Sequence, residues 1–134
     1  MKSFSIALTV IIGNMRRQQK LGAQGEHYVA QFLEKQGFTI VALNYRQRYG
    51  EIDIVATKGD LLAFVEVKAR SQILFSLSEV VTVTKQRKII KTALQFIRQY
   101  EQARNKIWRF DVALVDLKNE KPAISYIPNA FTSS

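Results

Sequence analysis

Apolar positions recur along the chain with two different periods, and the changes of period divide it into elements. From residue 16 to 36, Leu21, Tyr28, Val29, Phe32 and Leu33 fall at helical spacing, and Gly37 follows as a stop signal. Phe38 to Tyr45 reads as a strand, Arg46 to Gly50 as a polar turn, and Glu51 to Thr57 as an alternating, half-buried strand. Lys58-Gly59-Asp60 is a turn before a third strand, Leu61 to Ala69. Residues 71–82 keep no clear period, although Ser76-Leu77-Ser78-Glu79 has the form of a capping box. Thr84 to Gln102 reads as a helix with Ile90, Ala93, Leu94, Ile97 and Tyr100 on one stripe. Trp108 to Leu117 is a fourth strand, Ala123 to Ile127 a fifth, and Pro128 to Ser134 a frayed tail. This order predicts an α/β fold with a mixed central sheet of four or five strands flanked by helices.

The first fourteen residues stand apart. Their apolar run, Phe4 to Ile12, is too short to span a bilayer and lacks a small-residue cleavage site behind it. An upstream mis-assigned start, a signal-like or anchoring segment and an added strand are the three readings. The first is preferred because Met15 is followed at once by the basic run Arg16-Arg17. The expectation is therefore a leader at 1–14, one domain at 15–134, no membrane span and a cytoplasmic protein.

Composition narrows the chemistry. A chain of 134 residues, 47% hydrophobic, can bury one core. Without cysteine it has no disulfide, thiolate zinc site or thiol nucleophile, and its single histidine, His27, argues against a His-based triad. Catalysis would have to run on carboxylates, lysines, tyrosines or hydroxyls. Twenty Lys and Arg against eleven Asp and Glu give a net charge of +9, the footprint of a domain that meets a polyanion.

The candidate chemistry lies on the second and third strands. If Gly59-Asp60 forms a two-residue type II′ turn, paired positions sum to 119. Asp53 then faces Glu66, and Glu51 faces Lys68. All four project from one face, while Ile52, Ile54, Ala56, Ala63, Val65 and Val67 project from the other as core. Crowded carboxylates raise one another's pKa, and a hard cation such as Mg²⁺ relieves the repulsion. Lys68 would point at a phosphate or an attacking water. Two cross-strand ion pairs on a solvated face would produce the same pattern, and both readings stand. Glu26, behind Gly22 and Gly25 on the edge of the first helix's apolar stripe, is either a further metal ligand or a surface residue paired with Lys20 or Arg16.

Gly50-Glu51-Ile52-Asp53 followed by Phe64-Val65-Glu66-Val67-Lys68 resembles the PD-(D/E)XK nuclease motif. Together with Gly25-Glu26, Asn44-Tyr45-Arg46, Ala69-Arg70, Thr84-Lys85-Gln86 and Arg109-Phe110-Asp111-Val112, it is similar to the YraN-like bacterial family, from about Gly22 to Val115. The resemblance implies a restriction-endonuclease-like core and a Mg²⁺ (or Mn²⁺) site held by Asp53, Glu66 and the Val67 carbonyl. It also implies Lys68 as catalytic lysine, Glu26 as the first-helix carboxylate and Gln86 as a helix residue near the site. Two departures are the extra acid Glu51 and the absence of a proline before Asp53.

Other residues fit a nucleic-acid surface: Arg16, Arg17 and Lys20 before Glu26; Tyr45, Arg46, Arg48 and Tyr49 in the first turn; Arg70 and Lys85; and Lys88, Lys91, Gln95 and Arg98 on one helix stripe. Asp111 reads as structural. The expected function is a Mg²⁺-dependent nuclease acting on DNA, with branched or structured DNA as candidate substrates and a homodimer needed if both strands of a duplex are cut. A nucleic-acid-binding module with a vestigial site, and a protein-interaction or membrane-peripheral domain, are the alternatives.

Overall fold

The computed structural model describes residues 17–70 and 80–133. The expectations for 1–14, Arg16 and the capping box at 76–79 lie outside these. Helix α1 (Arg17–Lys35) is followed by strands β1 (Thr39–Gln47), β2 (Gly50–Lys58) and β3 (Leu61–Arg70), helix α2 (Val83–Gln99), a 3₁₀ turn (Glu101–Ala103), and strands β4 (Ile107–Asp116) and β5 (Ala123–Phe131). The five strands form one mixed sheet in sequence order: β3 and β4 are parallel and the other neighbours antiparallel. The α/β fold, consistent with a restriction-endonuclease-like core, is as expected.

Local chemistry accounts for the boundaries. Gly37 takes φ +94° just beyond α1, a left-handed conformation that glycine adopts without strain. Gly59, at φ +58°, opens the β2–β3 turn, and the register runs from Lys58↔Leu61 to Ile54↔Val65, as the sum of 119 requires. Thr82 caps α2, its hydroxyl accepting from the Lys85 amide.

Three expectations are corrected. Strand β5 continues through Pro128 to Phe131 instead of fraying. It is an edge strand, and an edge tolerates a residue without an N–H. Helix α2 ends at Gln99, and its buried stripe is Ile89, Thr92, Ala93, Phe96 and Ile97; Leu94 and Tyr100 are exposed. The sheet is also covered on both faces. Val29 and Leu33 of α1 pack with Ile54, Ala56, Val65 and Ala113 of the sheet. Ile89 and Phe96 of α2 pack with Ile52, Val55, Phe64 and Val112 of the sheet. The charges of β2 and β3 therefore do not lie on an open sheet face.

A candidate acid cleft at the end of the hairpin

Ile52 and Ile54, two residues apart, belong to opposite cores. Side chains in a regular strand alternate, so the alternation must break at Asp53. Across from it on β1, the Leu43↔Ile54 and Tyr45↔Ile52 pairs bracket Asn44, whose φ is +50°. Asparagine is among the few side-chain-bearing residues that tolerate this conformation. The paired distortion leaves Asp53 on neither regular face. Its Oδ2 accepts a hydrogen bond from the Val67 amide at 2.7 Å.

The β2–β3 ladder thus stops at Ile54↔Val65, and Asp53 and Glu66 lie close together at its open end rather than as ladder partners. Burial, then the charges of Glu66 and Glu26, push the Asp53 carboxyl well above the ordinary carboxylate range, against the opposing Val67 hydrogen bond. With Glu51, Lys85, Lys88 and Ile89, these two acids line a pocket of about 200 Å³ between the sheet and the start of α2.

Glu26 approaches from α1. A Cβ on Gly25 would lie 2.6 Å from the Ala69 Cβ, so only glycine allows the helix to sit this close to β3. Burial raises the Glu26 pKa from an ordinary 4.5 to about 7; a hydrogen bond from the Asn44 side chain opposes the shift, and the charges of Glu51 and Glu66 add to it. The same Asn44 that breaks the strand alternation therefore also holds the third acid. Sequence reasoning gave Asn44 no role of its own, although an asparagine inside a strand pattern is itself a signal of left-handed backbone.

The cations are arranged differently from expectation. Glu51 pairs with Arg46, Nε to Oε2 at 2.8 Å, instead of with Lys68. Lys85, not Lys68, is ion-paired with Glu66, which is only 7% exposed. Lys68 is half-buried and makes no ion pair among the described residues; burial, then Arg70 and Lys85, lower its pKa, against the pull of Glu66 and Asp53. Gln86 does not line the cleft: its side-chain amide donates to the Val81 carbonyl at 3.1 Å. Tyr45 is half-buried: its ring stands edge-to-face with Phe96 at 5.2 Å and its hydroxyl bonds Gln99.

Arg46, Arg48, Lys88 and Lys91 are exposed along the β1–β2 turn and the outer face of α2, and Arg70 is exposed at the end of β3. Lys20 is half-buried on α1, and Arg17 begins that helix. Asp111 is structural, as expected. Fully buried, it accepts from Nε and Nη2 of Arg109 at 2.8 Å, from the Tyr126 hydroxyl and from the Asn129 amide at 2.9 Å, so its charge is saturated.

Among the described residues, no group of three His, Cys, Asp or Glu side chains is placed to hold a metal ion by itself. The oxygens of Asp53 and Glu66 nevertheless fit a cation that takes one or two carboxylates and fills its shell with water and substrate. Their mutual repulsion in a desolvated cleft is the cost such an ion would remove. No helix among the described residues is long and apolar enough to cross a membrane.

The family model described as "Uncharacterised protein family UPF0102" matches residues 25–115. This span runs from the glycine beside Glu26 to the end of β4 and includes every acid of the cleft. A UPF0102 protein of Caldicellulosiruptor saccharolyticus is 42% identical over 117 residues, covering 85% of this chain and 98% of its own length. One from Alkaliphilus metalliredigens is 42% identical over 114 residues, covering 84% and 98%. One from Acinetobacter baumannii is 42% identical over 99 residues, covering 73% and 74%.

Proposed function

The chain belongs to the uncharacterised protein family UPF0102, and from the geometry of its acid cleft we propose that it is a divalent-metal-dependent nuclease hydrolysing phosphodiester bonds in DNA. The observation that carries this reading is the buried pair Asp53 and Glu66 at the open end of the β2–β3 hairpin, with Glu26 and Lys68 within electrostatic reach and Lys85 and Lys88 lining the same pocket. A solvated ion-pair network would not gather three acids where burial raises two of their pKa values. The resemblance of Gly50 to Lys68 to the PD-(D/E)XK motif supports the same assignment.

Asp53 and Glu66, with the backbone of Val67 alongside, would hold Mg²⁺ or Mn²⁺. A cation bound there supplies Lewis acidity toward a phosphoryl oxygen and acidifies bound water. The residues of the chain do the rest. Val67 fixes the Asp53 carboxylate through its amide hydrogen bond. Lys68, which makes no ion pair among the described residues, would orient the attacking water or balance charge growing on the phosphate. Glu26, with a pKa of about 7, can take up or release a proton near neutral pH. Lys85, Lys88, Arg46 and Arg48 supply positive charge for the phosphates on either side, a contribution that weakens as salt rises.

The test is cleavage of labelled duplex, single-stranded and four-way-junction DNA with Mg²⁺ or Mn²⁺ and with EDTA, alongside metal binding by calorimetry. Asp53→Asn should remove most of the metal affinity. Lys68→Ala should keep metal binding and abolish turnover, because its role belongs to the transition state. Tight DNA binding with no metal-dependent cleavage of any substrate would show a binding module with a vestigial site instead. Cleavage that survives both substitutions would refute the residue assignment.

A further inference from the structure

The β1–β2 turn presents an aromatic ring that the core does not use. Gln47 pairs with Gly50, so Arg48 and Tyr49 form a two-residue loop between strands in register. The loop is pinned to α2 because Gly50 lies against the helix: a Cβ there would meet Thr92 Oγ1 at 3.3 Å and Lys88 Cβ at 3.4 Å. Tyr49 is 52% exposed, unlike Tyr45, whose ring is packed on Phe96. The Lys91 ammonium sits over the Tyr49 ring, 5.3 Å from its centroid.

Both partners lie next to the acid cleft by short, rigid paths. Tyr49 precedes Glu51 by two residues, at most roughly 7 Å along the chain. Lys91 follows Lys88 by about one helical turn, roughly 5 Å. Glu51 and Lys88 both line the cleft. Bases stacked in a nucleic-acid strand are ~3.4 Å apart. A phosphate held at the cleft would therefore bring the base one or two nucleotides away within reach of the ring. In a duplex that base is already stacked on both sides and paired, so the ring has no free base face to meet. An unpaired base has one, and an aromatic ring beside a cation is a platform that accepts any base.

We propose that Tyr49, steadied by Lys91, is a stacking platform for an unpaired base, so that the acid cleft takes DNA with a single-stranded stretch beside the phosphate it acts on. The proposal rests on the nuclease reading for the role of the cleft and adds the class of substrate.

The experiment compares fluorescence anisotropy of a labelled oligothymidylate with that of a blunt hairpin duplex of equal phosphate count, in EDTA so that neither is cut. Wild-type protein should favour the single strand. Tyr49→Ala should weaken single-strand binding about five- to hundredfold and duplex binding less than about twofold. Tyr49→Phe, which keeps the ring, should match the wild type, and circular dichroism should show all variants folded. Lys91→Ala should weaken both substrates and flatten the salt dependence, since it removes a charge as well as the ring's partner. Equal losses on both substrates for Tyr49→Ala, no loss, or a wild-type preference for the blunt duplex would overturn the platform. If those results came with metal-dependent cleavage that Asp53→Asn abolishes, the platform alone would fall; if the wild type bound neither DNA, the nuclease reading would fall with it.

Discussion

Replacing Glu26 by glutamine should make the protein more stable, by an amount that depends on pH. In the folded chain the Glu26 carboxyl has a pKa of about 7, against 4.5 ordinarily, chiefly because α1 and the sheet remove it from water. Each pH unit of that gap is worth about 1.4 kcal/mol, so ionised Glu26 costs the folded state about 3 kcal/mol. The sign follows from the raised value. Below pH 4.5 the carboxyl is protonated in both folded and unfolded chains and costs nothing. As pH rises from 4.5 through 7 the unfolded chain ionises first, and stability falls. Above 7 the full cost is present. Glutamine keeps the size and the carbonyl oxygen that Asn44 can bond, without the charge. The difference between variant and wild type should then be about 3 kcal/mol at pH 8 and near zero at pH 4.5, a rise in melting temperature of roughly 10 °C at the higher pH for a domain of this size. Thermal unfolding followed by circular dichroism at both pH values gives the answer, and the variant-minus-wild-type difference cancels the other titrating groups. Adding Mg²⁺ at pH 8 should narrow the gap by relieving the same repulsion in the wild type. A stabilisation independent of pH, or a loss of stability at pH 8, would refute the reasoning.

Gly25→Ala should destabilise the fold by about 1–3 kcal/mol, measured by urea denaturation, because its methyl would sit 2.6 Å from the Ala69 Cβ and force α1 off the sheet. Asp111→Ala should cost about 3–5 kcal/mol in the same assay, since it strands the Arg109 charge and leaves the Tyr126 hydroxyl and the Asn129 amide without their acceptor. Lys85→Ala should increase Mn²⁺ affinity in a calorimetric titration, because the Lys85 ammonium competes for Glu66; unchanged or weaker binding would show that the lysine does not oppose the cation.

The elements and the hairpin register were legible in the sequence because they depend on local chemistry. Gly59-Asp60 sets the turn, the turn sets the register, and helical spacing marks α1 and α2 to within a few residues. The acids themselves, Asp53, Glu66 and Glu26, could be named for the same reason: they interrupt apolar patterns. Their arrangement could not be read. Strict alternation placed Glu51, Asp53, Glu66 and Lys68 on one solvated face, whereas the alternation breaks at Asp53, across from the left-handed Asn44 on β1, so that Ile52 and Ile54 lie in opposite cores and Asp53 accepts from the Val67 amide. The partners Arg46 for Glu51 and Lys85 for Glu66 come from β1 and α2, elements whose position over the hairpin no local pattern encodes. The raised pKa values of Asp53 and Glu26 likewise depend on what two helices cover. Backbone preferences and turn chemistry act over a few residues and are written in them; desolvation and charge pairing act across space, and here only the packing of α1 and α2 on both faces of one sheet fixes which charges meet.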